Sequence, residues 1–205
     1  MVDFLERGVR KFRREGYRAN RALFRKLARS QSPRVLFITC ADSRVVPALI
    51  TQTRPGDLFV ERNPGNIVPV YDRHTSGESA SVEYAVEVLK VEHVVVCGHS
   101  DCGAVKGILY PEKLASAPAV RRWLTYGNRS RQMLGRRARG LPEHRQLEML
   151  TQLNVIVQIE HLKTHPSVAR RLRQGKLGLH GWVYDIREGE ILQLDERTGE
   201  FLPWP

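Results

Sequence analysis

Continuous apolar runs and helical periodicities alternate along this chain in the order of an open sheet with helical crossovers. Val35 to Thr39 (VLFIT) is apolar without alternation, as a strand buried on both faces should be. Leu58 to Glu61 follows the turn signal Pro55-Gly56 and predicts a second strand. His93 to Gly98 (HVVVCG) is a third apolar run. Gly77 to Lys90 repeats at helical spacing, with Val82, Val86 and Leu89 facing inward and Glu83 and Glu87 outward. A further helix is expected to start at Gly103, and a long one to run from Leu147 to His161. Another should open at Pro166, because proline suits a first helical turn. LGLHGWVYDIREGEILQLD predicts a strand, a turn at Glu188-Gly189 and a returning strand. The fold class is therefore α/β: a central, mostly parallel β-sheet flanked by helices, with a C-terminal antiparallel strand extension.

Ahead of the first strand, residues 3–29 predict an N-terminal helical arm. Leu5, Val9 and Phe12 share one face, and Leu23, Phe24 and Leu27 share another after a break near Gly16. Ser30 to Pro33 ends it, since a residue before proline is pushed out of the helical region. The arm, residues 1–34, is taken as part of the same domain as residues 35–205, because no linker, repeat or low-complexity segment divides them. The stretch 125–142, with Gly127, Gly135 and Gly140, is the expected place for a mobile excursion.

Charge changes the picture only locally. The net charge of +11 is uneven: residues 1–34 hold 11 Lys/Arg against 3 acids, and residues 121–145 hold 8 Arg against 1 acid. Such stretches suit nucleic acid, anionic lipid or an acidic protein. Solvated helix faces, or arginines paired across subunits, account for them more simply. No apolar run nears the roughly 20 residues of a membrane span. The N-terminus is charged from Asp3 onward and lacks an apolar block, so a cytoplasmic location is expected.

Three cysteines, Cys40, Cys97 and Cys102, are an odd number in a chain of this kind, which argues for ligand or nucleophile duty over a disulfide framework. Cys97 lies inside a strand and should face the core. Cys40 leaves the first predicted strand, and His99 and Cys102 leave the third. Ligand sites in open α/β sheets form beyond the carboxyl ends of strands, so these three side chains converge if the two strands are neighbours. Two cysteines and one histidine with a vacant corner form a catalytic zinc arrangement, whereas structural sites close with four protein ligands. A strand-end cysteine or a His-x-x-Cys pair would say little alone. The acid Asp42 and the base Arg44 beside Cys40 add weight, and an ordinary strand-end salt bridge is the plainer reading of that pair.

CADSR (40–44) followed by GHSDCGA (98–104) resembles the zinc motifs of the β-class carbonic anhydrases. ERNPGN, SVEYAVEVLKVEHVVVCGH, NVIVQIEHLKTHP and HGWVYDIREGEI are similar to that family's other blocks, in its order, from about Gln31 to about Leu194. The resemblance implies one zinc ion per chain on Cys40, His99 and Cys102, and the reversible hydration of carbon dioxide to bicarbonate. It implies that Asp42 orients the attacking oxygen while Arg44 holds the carboxylate off the metal, and that Asp42 becomes a fourth ligand in a closed form. It also implies substrate-binding roles for Gln31, Phe59, Tyr84 and Gly103, with Phe59 and Tyr84 often shared across a subunit interface. For those two, core packing is an equal alternative. Phe37 stands where relatives with an inhibitory bicarbonate pocket have tryptophan, which favours the open-type branch. Members are homodimers or larger, and a basic surface would suit docking to a carboxysome shell or scaffold protein. A carbon disulfide or carbonyl sulfide hydrolase on the same fold, and a zinc-stabilised basic protein that binds nucleic acid, are the alternative functions. Position in sequence does not choose a proton shuttle among His74, His93, His144, His161, His165 and His180.

Overall fold

The first apolar run is an interior strand of a six-stranded sheet. In the computed structural model, which describes residues 3–72 and 76–204, the strands are β1 (Val35–Cys40), β2 (Leu58–Asn63), β3 (His93–His99), β4 (Gly178–Tyr184), β5 (Ile191–Asp195) and β6 (Glu200–Pro203). Their order across the sheet is β2-β1-β3-β4-β5-β6. β1 is parallel to β2 and β3, and β3 to β4, whereas β5 and β6 are added antiparallel. The mostly parallel sheet with an antiparallel extension is thus as expected. β6 was not anticipated; it returns from β5 through the 195–200 turn, where Gly199 has φ 75°.

β1 and β3 are buried on both faces, which is why they lack polar alternation, whereas β4 alternates between buried and half-buried positions. Leu36, Ile38, Val94, Val96 and Val183 pack in one core with Val155, Ile159 and Leu162 of the long helix Glu143–Thr164. Phe37, Val95 and Cys97 form a smaller cluster with Trp182 and Tyr184. The long helix lies close against β3 and β4 because two facing residues have no side chain. A Cβ on Gly98 would stand 3.0 Å from Val155, and one on Gly181 would stand 2.9 Å from Ile159. Val82 and Val86 are buried as the periodicity requires, although the helix from Gly77 widens into a π turn at Tyr84–Val88.

The 125–142 stretch is not a loose excursion. The segments Pro118–Trp123, Leu124–Gly127, Asn128–Leu134 and Gly135–Ala138 are helical. Leu124, Leu134 and Ala138 join Ile67, Val105, Ile108 and Leu150 in a core that includes Cys40 and Cys102. Gly127 marks close packing here, since a Cβ would fall 2.4 Å from Ile108 Cδ1. Glycines that signal looseness in sequence also permit close approach, and only the packing separates the two meanings.

Two compact units are distinguished, residues 1–32 and residues 33–205. In the first, helices span Asp3–Lys11 and Arg21–Leu27, joined through a π turn at Phe12–Gly16 and a short turn at Tyr17–Ala19. The expected break falls at Asn20, whose side-chain amide donates to the Gly16 carbonyl at 3.0 Å. Phe12, Tyr17 and Phe24 cluster, with Tyr17 and Phe24 stacked at 5.5 Å. Phe4, Leu5 and Val9 stay exposed.

Candidate metal centre

β1 and β3 are hydrogen-bonded neighbours with Thr39 opposite Cys97, so Cys40 ends its strand level with Gly98 and one residue short of His99. The 58 residues between Cys40 and His99 are thereby spanned by one sheet register. Past β3 the chain reverses through Ser100 and Asp101, and Asp101 takes a left-handed φ of 56°. Aspartate tolerates that conformation better than most residues. This turn presents Cys102 beside His99, and the helix Gly103–Leu109 begins at once.

The result is a compact triad. The ligand atoms of Cys40, His99 and Cys102 lie within 4.8 Å of one another, and all three side chains are buried. Cys40 Sγ and Cys102 Sγ are 3.9 Å apart, close to the ~3.8 Å that two Zn–S bonds of about 2.3 Å span at a tetrahedral angle. His99 Nδ1 donates to the Ser100 carbonyl at 2.8 Å. That bond sets the tautomer and leaves the Nε2 lone pair facing the sulfurs. Nε2 is buried with no hydrogen-bond partner among the described residues. A buried unpaired nitrogen is costly, and a cation between it and the sulfurs satisfies it. Two soft thiolates and an imidazole suit zinc chemistry, so the residues fit the ion.

The electrostatics fit as well. The hydrogen bond from Cys102 outweighs burial and draws the Cys40 thiol down to about 4. Cys102 is pushed up by the same hydrogen bond and by burial. The Gly65 N–H adds a contact to Cys40 Sγ at 3.4 Å. Gly65 is required there, since its φ is +86° and a Cβ would stand 2.9 Å from the Ala104 side chain. Cys97 behaves as the strand pattern implied; burial pushes its thiol up to about 12.

Asp42 and Arg44 stand beside the triad. Arg44 Nε donates to Asp42 Oδ1 at 2.9 Å and Nη2 to Oδ2 at 2.8 Å, a two-pronged pair. The Arg44 backbone N–H adds a bond to Oδ1 at 3.0 Å. These contacts hold the Asp42 carboxyl well below the usual carboxylate range. Asp42 Oδ2 is 3.8 Å from His99 Nε2, so the carboxylate borders the cradle while turned onto Arg44. Arg62 donates to the Cys40 carbonyl at 3.2 Å and to the Asp42 carbonyl at 2.7 Å, fixing both residues from β2.

Other expected site residues are distributed unevenly. Gly103 follows Cys102 directly, with nothing within 4 Å of the position a Cβ would take. Phe59 and Tyr84 meet each other at 5.9 Å, and Tyr84 is exposed. Phe59 pairs with Leu36 whereas Cys40 pairs with Asn63, so they lie four residues, roughly 13 Å, down the strands from the triad. Gln31 belongs to the N-terminal unit and is exposed. Phe37 is buried against Trp182. Of the histidines, His74 lies outside the described residues, while His161 and His165 bind the carbonyls of Val68 and Pro69. His93 and His180 bind each other at 3.1 Å. His144 is exposed and shares the wall of a cavity of about 910 Å³ with Arg44 and Asp101.

Several supporting groups escaped sequence reasoning. Asp101 is a second carboxylate on Arg44, at 3.1 Å, and also pairs with Lys106. Asn154 and Gln158 form a buried polar chain: Asn154 donates to the Gly65 carbonyl at 3.0 Å and Gln158 accepts from the Val68 N–H at 2.8 Å. Their signal was two amides four residues apart on the apolar face of NVIVQIEH.

An open α/β sheet carrying two cysteines and a histidine at neighbouring strand ends, with a salt-bridged acid at the rim, defines a class of proteins able to hold one metal ion. Comparison with known proteins narrows it. The carbonic anhydrase family profile matches residues 35–191. A carbonic anhydrase of Pseudomonas aeruginosa is 51% identical over 202 residues, covering 98% of this chain and 91% of its own. The solved β-carbonic anhydrase CcaA superposes with a TM-score of 0.96 at 41% identity, over 100% of this chain and 92% of that one. A tetrameric β-carbonic anhydrase of the ascomycete Sordaria macrospora has a TM-score of 0.85 at 32% identity, over 94% and 95% of the two chains. The chain belongs to the carbonic anhydrase family, and its fold is that of the β class. These relatives are named for carbonic anhydrase activity, so neither the carbon disulfide or carbonyl sulfide reading nor the nucleic-acid reading is favoured. No helix among the described residues is long and apolar enough to cross a membrane.

Proposed function

We propose that this enzyme, which interconverts carbon dioxide and bicarbonate, works through one zinc ion held by Cys40, His99 and Cys102. The observation that carries the reading is the unpartnered His99 Nε2 facing two sulfurs 3.9 Å apart, with the Arg44-bound Asp42 at their edge. Zinc, when bound, lowers the pKa of a water from 15.7 towards about 7 and makes hydroxide available near neutral pH. Two thiolates cancel the ion's formal charge, so activity should rise into the alkaline range.

The chain's own residues position the reaction. Asp42 stays ionised and accepts the hydrogen of the attacking oxygen, which aims a lone pair at the substrate carbon. Arg44 keeps that carboxylate charged and turned from the cradle, an arrangement that supports the open form; release of the pair would let Asp42 become a fourth ligand. Arg62 holds the backbone on either side of Ala41. The open space at Gly103 admits a substrate oxygen to the backbone there. Gln31 is assigned to the same substrate oxygen, and Phe59 and Tyr84 to the pocket wall of a second subunit, since in their own chain they lie well down the sheet from the cradle. A homodimer or larger assembly completes the proposal. It is supported by the exposed Phe4, Leu5, Val9 and Val88 and by the tetrameric Sordaria relatives. A cytoplasmic location and docking of a carboxysome shell or scaffold protein on the basic surface belong to it too; co-fractionation tests both.

The decisive test is stopped-flow carbon dioxide hydration before and after chelation, with zinc counted per chain and carbon disulfide run alongside. One zinc per chain, with activity lost and regained with it, is expected. Full activity in metal-free protein, or turnover of carbon disulfide alone, would refute the proposal.

A further inference from the structure

Between the helix Gly103–Leu109 and the segment after Pro118 lies a cavity of about 210 Å³. Gly107, Ile108 and Leu124 form its apolar side, and Arg121, Asn128 and Arg131 its polar side. Both arginines are solvent-exposed at the rim, and neither makes an ion pair among the described residues, whereas nearby Arg129 is paired with Glu160 at 2.8 Å. Residues 113–142 hold seven arginines and no acid. Two uncompensated guanidinium groups on one small cavity repel each other unless an anion lies between them. Thr125 also borders the cavity, but its hydroxyl donates to the Arg122 carbonyl at 2.6 Å. The donors left for a ligand are the two guanidiniums and the Asn128 amide. The volume falls below the ~300 Å³ at which pockets for drug-sized ligands begin, so the cavity suits a small oxyanion. Two fixed positive charges favour a dianion over bicarbonate or chloride.

The same segment touches the metal cradle by a short path. Trp123 Nε1 donates to the Pro64 carbonyl at 2.9 Å. Leu124 lies where it would meet a Gly65 Cβ at 3.7 Å, and the Gly65 N–H is the group that reaches Cys40 Sγ. We propose that this cavity is an effector site for a phosphate-type dianion, and that its occupancy is transmitted to Cys40 through the Trp123–Pro64 and Leu124–Gly65 contacts. Binding is independent of the zinc reading; transmission rests on it.

Calorimetric titration of the holoenzyme with inorganic phosphate at constant ionic strength, against chloride, tests binding. One saturable site per chain is expected. Arg121→Gln with Arg131→Gln should weaken it by roughly tenfold or more for each guanidinium removed. Arg122→Gln with Arg139→Gln should leave it within about twofold, as exposed charges are screened. No binding, or binding retained in the first double variant because phosphate sits on the metal instead, overturns the site. A parallel titration with glycerol 2-phosphate separates the sources: tighter binding assigns the site to phosphomonoesters, equal or weaker binding to free phosphate. For transmission, the rate of zinc release to a chromogenic chelator should change at least about threefold with saturating phosphate, and not in Arg121→Gln/Arg131→Gln. An unchanged rate in both overturns the coupling. Intact phosphate binding in protein that fails to hydrate carbon dioxide would count against the proposed function alone.

Discussion

Asp42→Asn isolates the charge of one carboxylate while nearly preserving its shape. Arg44 directs three donors at Asp42: the backbone N–H and Nε to Oδ1, and Nη2 to Oδ2. An asparagine that keeps its oxygen at the Oδ1 position puts its NH₂ group against Nη2 at the 2.8 Å now spanned by a hydrogen bond. Donor then faces donor, and the two-pronged pair is broken. The atom 3.8 Å from His99 Nε2 changes from acceptor to donor, so it can no longer receive the hydrogen of the attacking oxygen. Removing one preorganised hydrogen bond of this kind costs about 2.7–4 kcal/mol at the transition state, a fall in kcat of roughly 10²–10³. Zinc should stay near one per chain, because the cradle is built without Asp42. Stopped-flow kinetics with metal analysis of the same samples gives both numbers. A kcat within about twofold of wild type at full zinc would refute the assignment, and zinc lost in step with activity would make Asp42 a structural element of the cradle.

Three further outcomes follow from the geometry. Arg44 lowers the folded-state pKa of Asp42, so the pair's contribution to stability is fully present above the unfolded value of about 3.9 and disappears as pH falls through the depressed one; denaturant midpoints should therefore drop more steeply below pH 4 in wild type than in Asp42→Asn, and parallel curves would contradict this. Gly127→Ala forces a Cβ to within 2.4 Å of Ile108 Cδ1 and should destabilise by about 1–3 kcal/mol in urea titration; an unchanged midpoint would mean that Ile108 yields freely. Chelation should open Cys40 and Cys102 to alkylation in the native state, while Cys97, fully buried and pushed up to about 12, reacts only on unfolding; mass mapping of an alkylated Cys97 in folded protein would defeat that expectation.

Local pattern was enough for the elements that pack on both faces. The runs of β1 and β3 could be located because burial on both faces leaves an unbroken apolar stretch, and the helix from Gly77 because burial of one face imposes a helical period. Where the period is broken, pattern misled: Gly127 suggested looseness but lies against Ile108, and the short β6 carries too few apolar positions to stand out. The residues able to hold a metal, Cys40, His99 and Cys102, were legible by residue type and by their places at strand ends. Their companions were less so, since Asp101 on Arg44, the Gly65 N–H on Cys40 and the Asn154–Gln158 chain are contacts between distant segments.

By itself, the order of residues determined which side chains can ligate, which runs must be strands, and that a soft three-ligand set with an adjoining acid–base pair was available. Only the folded chain decided that β1 pairs with β3 in a register that ends Cys40 beside His99, that Asp101 turns left-handed to present Cys102, and that Asp42 faces Arg44. The reason is physical. Periodicity is a local consequence of burial, but strand order, register and the environment of each charged group are chosen by contacts between segments tens of residues apart.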